Sequence, residues 1–245
     1  MKSLTITNGA LTALLALFAL FTTTSAQAME GVPARFGQIL VDQLEARDAD
    51  DGTVAAWSAN AWYGGDINKL YFATEGERLM DRGGETESLE TRLAWSRAFA
   101  PYWDWQLGVR RDWQPDDPNR DWVSVGVMGV APYFFETEAN LFLGESGHSE
   151  LRLEAEYELL FTQRLILTPE VEASLYGKED RDLGIGKGLA TMEAGLRLRY
   201  EIRREFAPYI GVHWERKFGD TADFARDHGE DASDTMLVAG IRVWY

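Results

Sequence analysis

The sequence contains no cysteine, which excludes a disulfide framework, a thiolate metal centre and a thiol nucleophile together. Any metal ion must be held by histidine, methionine or carboxylate, and histidine itself is scarce, at 3 in 245 residues. Basic residues are in deficit as well, with 24 Lys and Arg against 40 Asp and Glu and a formal net charge of −16. A general nucleic-acid binder needs a basic stripe to neutralise phosphates, so that class is excluded. An acidic surface recruits cations instead. Past Ala28 no apolar run approaches the roughly 18 residues that a spanning helix requires, which excludes a helical membrane protein. Apolar residues as such are not lacking: 45% of the chain is hydrophobic, an ordinary share for a folded protein.

Met1 and Lys2 open a short basic region, and Ala10 to Phe21 (ALTALLALFALF) is apolar but too short to span a bilayer as a helix. Ala26 and Ala28 supply an A-x-A cleavage site, so residues 1–28 read as a signal peptide. The expected organisation is a leader over 1–28, a short periplasmic segment over 29–34 and a barrel over 35–245. Export carries the chain through the periplasm to the outer membrane. No cysteine follows the apolar stretch, so a lipid-anchored start is not expected.

From Leu151 the apolar side chains Leu151, Leu153, Ala155, Tyr157, Leu159 and Phe161 alternate with Arg152, Glu154, Glu156 and Glu158. That is the period of a β-strand. The pattern recurs at Trp103/Trp105/Leu107/Val109, at Leu141/Leu143 and at Leu196/Leu198/Tyr200, and the charged side never becomes a second apolar face. About twelve such segments are predicted, near 35–46, 54–63, 67–77, 86–98, 102–113, 120–131, 133–144, 148–161, 164–176, 188–202, 206–218 and 234–245. Each has room for the roughly 9–11 residues of a tilted membrane strand.

Connections alternate in length. Gly64-Gly65, Pro101, Pro132, Thr162-Gln163 and Arg203-Arg204 mark tight turns, whereas residues 80–86, 114–119, 177–188 and 219–233 make long loops. Short periplasmic turns with longer extracellular loops define an outer-membrane barrel; a soluble sandwich or lipocalin-like fold has no need of the asymmetry. Trp62-Tyr63, Tyr102-Trp103, Trp113, Trp122, Tyr133-Phe134, Trp214 and Trp244-Tyr245 fall at segment ends, where interfacial girdles are expected. The chain ends on alternating Leu237, Ala239, Ile241, Val243 and Tyr245, as a closing strand does. The fold class is therefore all-β, a transmembrane antiparallel outer-membrane barrel. Pro169 fits least well, because it cannot donate to a ladder paired on both sides, and a bulge is expected there.

Four long stretches, WYGGDINKLYFATEGER (62–78), APYFFETEANLFLG (131–144), EAEYELLFTQRLILTPEVEASLYGK (154–178) and GLRLRYEIRREFAPYIGVHWERKFGDTADFAR (195–226), resemble the copper resistance protein B family over nearly all of the chain past the leader. The resemblance implies an outer-membrane barrel of Gram-negative bacteria that takes part in copper tolerance with periplasmic copper-resistance proteins, with copper as the ion handled. Members of that family often carry a Met- and His-rich segment before the barrel. Here MEGVPAR (29–35) holds one methionine and no histidine, so that segment departs from the pattern and does not supply a Met- and His-rich ligand set for sequestration.

Past the leader the soft donors are Met29, Met80, Met128, Met192 and Met236, and the imidazoles are His148, His213 and His228. Strand parity turns His148, His213, Met128 and Met236 inward, which makes them the candidate copper ligands; Met192 falls in phase with the lipid-facing Leu196, and Met80 and His228 lie in loops. For any one methionine, packing competes with ligation. The same parity lines the interior with Glu136, Glu138, Glu154, Glu156, Glu158 and Glu215, the candidate cation pathway, together with Glu170, Glu172 and Glu193. Such carboxylates require water or partners. They form either a route for positive ions or a Glu–Arg network that braces the wall, and about twelve strands lie between a filled and an open barrel. Acidic loops at Asp116-Asp117, Glu179-Asp180 and 220–234 suit cations at the mouth or divalent ions bridging lipopolysaccharide.

An enzyme is not expected. His148 and Ser149 are neighbours on a strand and point to opposite faces, Ser146 lacks a G-x-S-x-G context, and neither a phosphate-binding glycine loop nor an H-E-x-x-H pair is present. Two readings remain: a copper-tolerance barrel that binds copper or lets it cross the outer membrane, and a porin-like cation-selective or structural barrel with no copper site of its own. The discriminating feature is whether two or more of the His and Met candidates converge.

Overall fold

The computed structural model describes residues 34–49, 52–80, 86–114 and 119–245. The predicted leader, most of the segment that follows it and the tips of three loops lie outside the described residues. Residues 35–245 form one compact unit. Its strands are β1 (Phe36–Ala49), β2 (Gly52–Gly64), β3 (Asn68–Leu79), β4 (Thr86–Ala100), β5 (Trp103–Trp113), β6 (Arg120–Ala131), β7 (Phe135–Gly144), β8 (Ser149–Glu156), β9 (Leu159–Leu160), β10 (Leu165–Tyr176), β11 (Gly188–Tyr200), β12 (Phe206–Lys217) and β13 (Ser233–Trp244). Each pairs antiparallel with its sequence neighbours, β8 and β9 being two stretches of one stave. β13 pairs back onto β1, closing a barrel of twelve staves. The terminal residue completes the seam, with Ile39 N donating to the Tyr245 carbonyl at 2.9 Å and Tyr245 N to the Ile39 carbonyl at 2.8 Å.

Closure leaves no strand edge, and the pleat then sorts every side chain to lumen or outside. Outward Leu93, Leu107, Val123, Leu141, Leu196 and Leu237 are exposed, an apolar surface far larger than a monomer keeps in water. Inward positions are polar or charged. No helix among the described residues is long and apolar enough to cross a membrane; the strands do the crossing.

The two rims differ as the loop lengths predict. At the short-turn rim Tyr102, Tyr133 and Phe134 take left-handed backbone conformations (φ 66°, 68° and 67°), a strained choice for aromatic residues. All three stand at least 80% exposed, at the height where amphipathic rings favour the membrane–water interface. At the long-loop rim the stretch after β12 contains a helix, α1 (Gly219–His228), which the strand pattern did not anticipate. Gly229 ends it with φ 83°, its N–H bonded to the carbonyls of Ala225 and Arg226. Its Thr221, Ala222 and Ala225 are buried, and Gly186 N donates to Thr221 Oγ1 at 2.9 Å, tying helix to the preceding loop.

Pro169 is accommodated by an interruption rather than by the expected bulge. Register between β10 and its neighbour is unbroken from Glu170↔Glu156 to Ile166↔Leu160. Tyr157 N still donates to the Pro169 carbonyl at 3.0 Å, but proline cannot return the bond, and strand geometry lapses at Tyr157 and Glu158 between β8 and β9. The shifts that do occur are elsewhere, most consequentially in β1 around Asp42.

Candidate cation pathway and metal ligands

Two cavities lie within the lumen. The larger, about 340 Å³, is lined by Asp42, Asn60, Glu75, Glu90, Met128, Glu136, Glu138, Glu154 and Glu156, with Arg92, Arg152 and Arg242. The second, about 240 Å³, is lined by Gln38, Glu158, Arg199, Glu201 and Arg204. Arg242 and Leu40 border both. Arg242 spans from Asp42, Nε to Oδ1 at 2.7 Å, to Glu158 at 3.1 Å, so one guanidinium stands between the two spaces.

The interior carboxylates fall into two kinds. Some are sealed: the side chains of Glu45 and Glu150 have 0% exposure, and each is held by two arginines. Glu150 receives Arg110 at 2.6 Å and Arg152 at 3.0 Å, with the Phe142 ring 4.0 Å from the Arg110 guanidinium. Glu45 receives Arg47 at 2.8 Å, Arg197 at 2.9 Å and the Tyr209 hydroxyl at 2.9 Å. Buried charge is tolerated only when paired and hydrogen-bonded in this way. Others are open: Glu75, Glu77 and Glu193 keep 46%, 39% and 36% of their side chains accessible. Among the described residues, no cation lies within ion-pair distance of Glu136, Glu154 or Glu156, all on the larger cavity's wall. Arg47, Arg92, Arg110, Arg152, Arg197, Arg199 and Arg242 are all in ion pairs, so the interior surplus is acidic.

Register arranges this surplus. Asp104 pairs with Met128, Met128 with Glu138, Glu138 with Glu154, Glu154 with Glu172, Glu172 with Glu193, Glu193 with Glu215 and Glu215 with Asp234. Asp104 is the second residue of β5 at the short-turn rim, and Asp234 the second of β13 at the opposite rim. The row therefore climbs the inner wall from one end of the barrel to the other, with a methionine as its sole uncharged step. A second row runs Glu136, Glu156, Glu170, Gly195, His213, Met236. Glycine at 195 leaves space through which Arg197 reaches Glu170 at 2.6 Å; a Cβ there would stand 2.3 Å from Arg197 Nη1.

Of the four proposed soft ligands, the fold brings two together. His213 and Met236 face each other across β12 and β13, 4% and 6% exposed. His148 stands apart at the long-loop rim, its Nδ1 3.7 Å from Asp180 Oδ2, itself held by Arg120 at 2.8 Å. Met128 lies in the larger cavity, where its sulfur accepts Gln106 Nε2 at 2.7 Å. No group of three or more His, Asp or Glu residues among the described residues is arranged to hold a metal ion. Of the proposed carboxylates, Glu136, Glu138, Glu154 and Glu156 share the larger cavity. Glu158 lies in the second, clamped by Arg199 and Arg242. Glu215 belongs to the first row nearer the long-loop rim.

Sequence reasoning missed Asp42, Glu45 and Arg47, which the bulge in β1 makes hard to place. The register shift puts Asp42 and Gln43, consecutive residues, both in the lumen: Asp42 meets Arg242, and Gln43 Nε2 donates to Glu170 at 3.0 Å. Two expected girdle residues also turn inward. Trp62 donates to Gln38 Oε1 at 3.0 Å, and Trp122, 6% exposed, donates to Asp112 Oδ2 at 2.8 Å. Each indole N–H finds its partner inside rather than at the membrane interface.

A closed barrel with an apolar outside, a charged inside and rims of unequal loop length is an outer-membrane β-barrel. Solved structures agree on the fold: the NanC porin superposes with a TM-score of 0.54 at 10% identity, covering 84% of this chain and 98% of that one. The KdgM porin in complex with disordered oligogalacturonate gives 0.50 at 10% identity, covering 84% and 98%. The family described as "Copper resistance protein B precursor" matches residues 35–245. Copper resistance protein B of Escherichia coli is 45% identical over 207 residues, 84% of this chain and 69% of that protein. The Copper resistance protein B homolog of Pseudomonas syringae pv. tomato is 45% identical over 206 residues, again 84% and 69%. The chain belongs to the copper resistance protein B family, as the sequence resemblance implied.

Proposed function

We propose that this outer-membrane barrel serves copper tolerance by concentrating copper ions inside its acidic lumen and holding them there or passing them between periplasm and surface. The observation that carries the reading is the acidic row from Asp104 to Asp234, joined to a cavity whose Glu136, Glu154 and Glu156 have no paired cation among the described residues. Carboxylates placed directly opposite one another destabilise a sheet, so mobile cations are the natural counter-charge. Rings and rows of carboxylates raise local cation concentration and reject anions. The sealed Glu45 and Glu150 clusters favour the alternative, a barrel whose charges only brace the wall. Reversal potentials across planar bilayers under a salt gradient separate the two. Cation selectivity that falls in Glu154→Gln/Glu156→Gln, with a matching loss of copper tolerance in cells carrying that variant, supports an ion-handling lumen. A non-conducting barrel with unaltered tolerance in the variant would overturn it.

A further inference from the structure

We propose that His213 and Met236 form a binding site for a soft monovalent metal ion, Cu(I), at the upper end of the second acidic row. The two residues are direct partners across β12 and β13, which sets their Cβ atoms about 4.5–5.5 Å apart on one face, and both side chains are buried. The imidazole has an unusual set of neighbours. Its Nε2 lies 3.4 Å from Glu193 Oε2 and 3.5 Å from Arg47 Nη1, while Nδ1 is buried with no hydrogen-bond partner among the described residues. Arg47 already donates at 2.6 Å to Glu77 and at 2.8 Å to Glu45. Nε2 therefore stands between a guanidinium that can only donate to it and a carboxylate that can only accept from it, and the proposed site uses the second arrangement, with the Nε2 proton turned to Glu193. In that tautomer the Nδ1 lone pair is the unpartnered one. A ring N–H given to a carboxylate, with the other nitrogen free, is the arrangement that orients a metal-binding histidine.

A buried ring nitrogen left without a partner is costly in either tautomer, and the residue across the ladder is a thioether, which supplies no proton. Imidazole with thioether is a soft, neutral donor set, suited to Cu(I) rather than to hard divalent ions. The nearby Arg47 guanidinium acts in the same direction, since it repels a doubly charged ion more strongly than a singly charged one. The first acidic row passes Glu193 itself, so cations concentrated along the row arrive beside the site. The proposal rests on the lumen being accessible to ions but not on conduction through it.

The test is titration of the full-length barrel, purified and folded in detergent, with Cu(I) against a chromophoric Cu(I) chelator, and with Ag(I) as a redox-inert probe. One saturable site is expected, weakened at least tenfold in Met236→Leu, which keeps volume and loses sulfur. Glu193→Ala is expected to weaken it by about 10–100-fold through the orientation of the ring. Met128→Leu, which removes the other lumen thioether, should leave the site unchanged. Heat-modifiable migration on gels confirms that each variant is folded. Absence of saturable binding by the intact barrel, or equal affinity in Met236→Leu, overturns the site. Because Met236→Leu leaves the Glu154 and Glu156 carboxylates in place, it should retain cation selectivity in bilayers, so failure of the metal site and failure of the ion-handling lumen give different results.

Discussion

Removing Arg110 tests whether the sealed carboxylates are held as the geometry indicates. Arg110 is 3% exposed. It meets Asp112 with Nε and Nη2, each at 2.9 Å, and Glu150 with Nη2 at 2.6 Å, while its guanidinium stacks 4.0 Å above Phe142. Arg110→Met keeps the aliphatic stem and most of the volume but removes the charge. Glu150, with no exposure at all, is left with Arg152 alone at 3.0 Å. Breaking a buried pair from one side costs about 3–5 kcal/mol, and one unit pair near 4 Å at an effective dielectric of 20 is worth about 4 kcal/mol. The surviving Arg152 places the expectation at the lower end, about 3 kcal/mol. Neutralising Glu150 supplies the control: in Arg110→Met/Glu150→Gln the fully buried carboxylate is no longer charged, while Asp112 keeps the Trp122 N–H at 2.8 Å, and at least half of the loss should return. Denaturant unfolding of the folded barrel in detergent, followed by tryptophan fluorescence, measures both. A single variant within about 1 kcal/mol of the parent, or a double variant no better than the single, would refute the view that arginine pairing keeps Glu150 buried.

Three further outcomes follow from the same geometry. Glu154→Gln/Glu156→Gln removes like charges facing Glu138, Glu172, Glu136 and Glu170 across the ladders, so thermal unfolding should shift upward by about 0.5–2 kcal/mol at low salt, with the gain shrinking when divalent cations are added. Gly195→Ala puts a Cβ into the path of Arg197 and should cost about 1–3 kcal/mol in denaturant unfolding; wild-type stability would mean that the Arg197–Glu170 contact is unimportant. Pro169→Val restores the N–H that the Tyr157 carbonyl faces, and should stabilise the barrel by about 1 kcal/mol while slowing amide exchange at residues 157–160.

Strand positions were legible in the sequence because each stave lies between lipid and lumen, and nothing but alternation satisfies both sides. β6 runs Arg120–Ala131, as the pattern gives it, and most other ends fall within three residues. Parity also read the inward Glu136, Glu138, Glu154 and Glu156 correctly, since their strands are unbroken to the cavity. It failed where one residue shifts phase: the bulge around Asp42 places consecutive side chains inside, and no feature of FGQILVDQLEARDA marks it. Trp62 and Trp122 deceived for another reason, since an indole at a strand end suits an interface or an interior acceptor equally, and only the positions of Gln38 and Asp112 decide. The acidic rows were beyond reach, because they depend on the stagger between strands, which alternation within one strand leaves undetermined.

That stagger also separates the two readings of the charged interior. A wall braced by ion pairs needs acids and bases in proportion, as around Arg110 and Arg197, where each carboxylate buried to 0% has two guanidinium partners. The row from Asp104 to Asp234 is not built that way. Arg92 takes Glu138 at 2.5 Å and Lys69 takes Asp104 at 2.7 Å, yet among the described residues Glu154 has no cation within ion-pair distance, and Glu193 faces a histidine whose other ring nitrogen has no partner. Bracing alone gives no reason to set carboxylate opposite carboxylate in five consecutive pairs across six staves, because each such pair costs stability. Under the proposed function, exchangeable cations balance this excess of negative charge from rim to rim, and the proposed Cu(I) site at the His213–Met236 end of the parallel row is where a soft ion would be held.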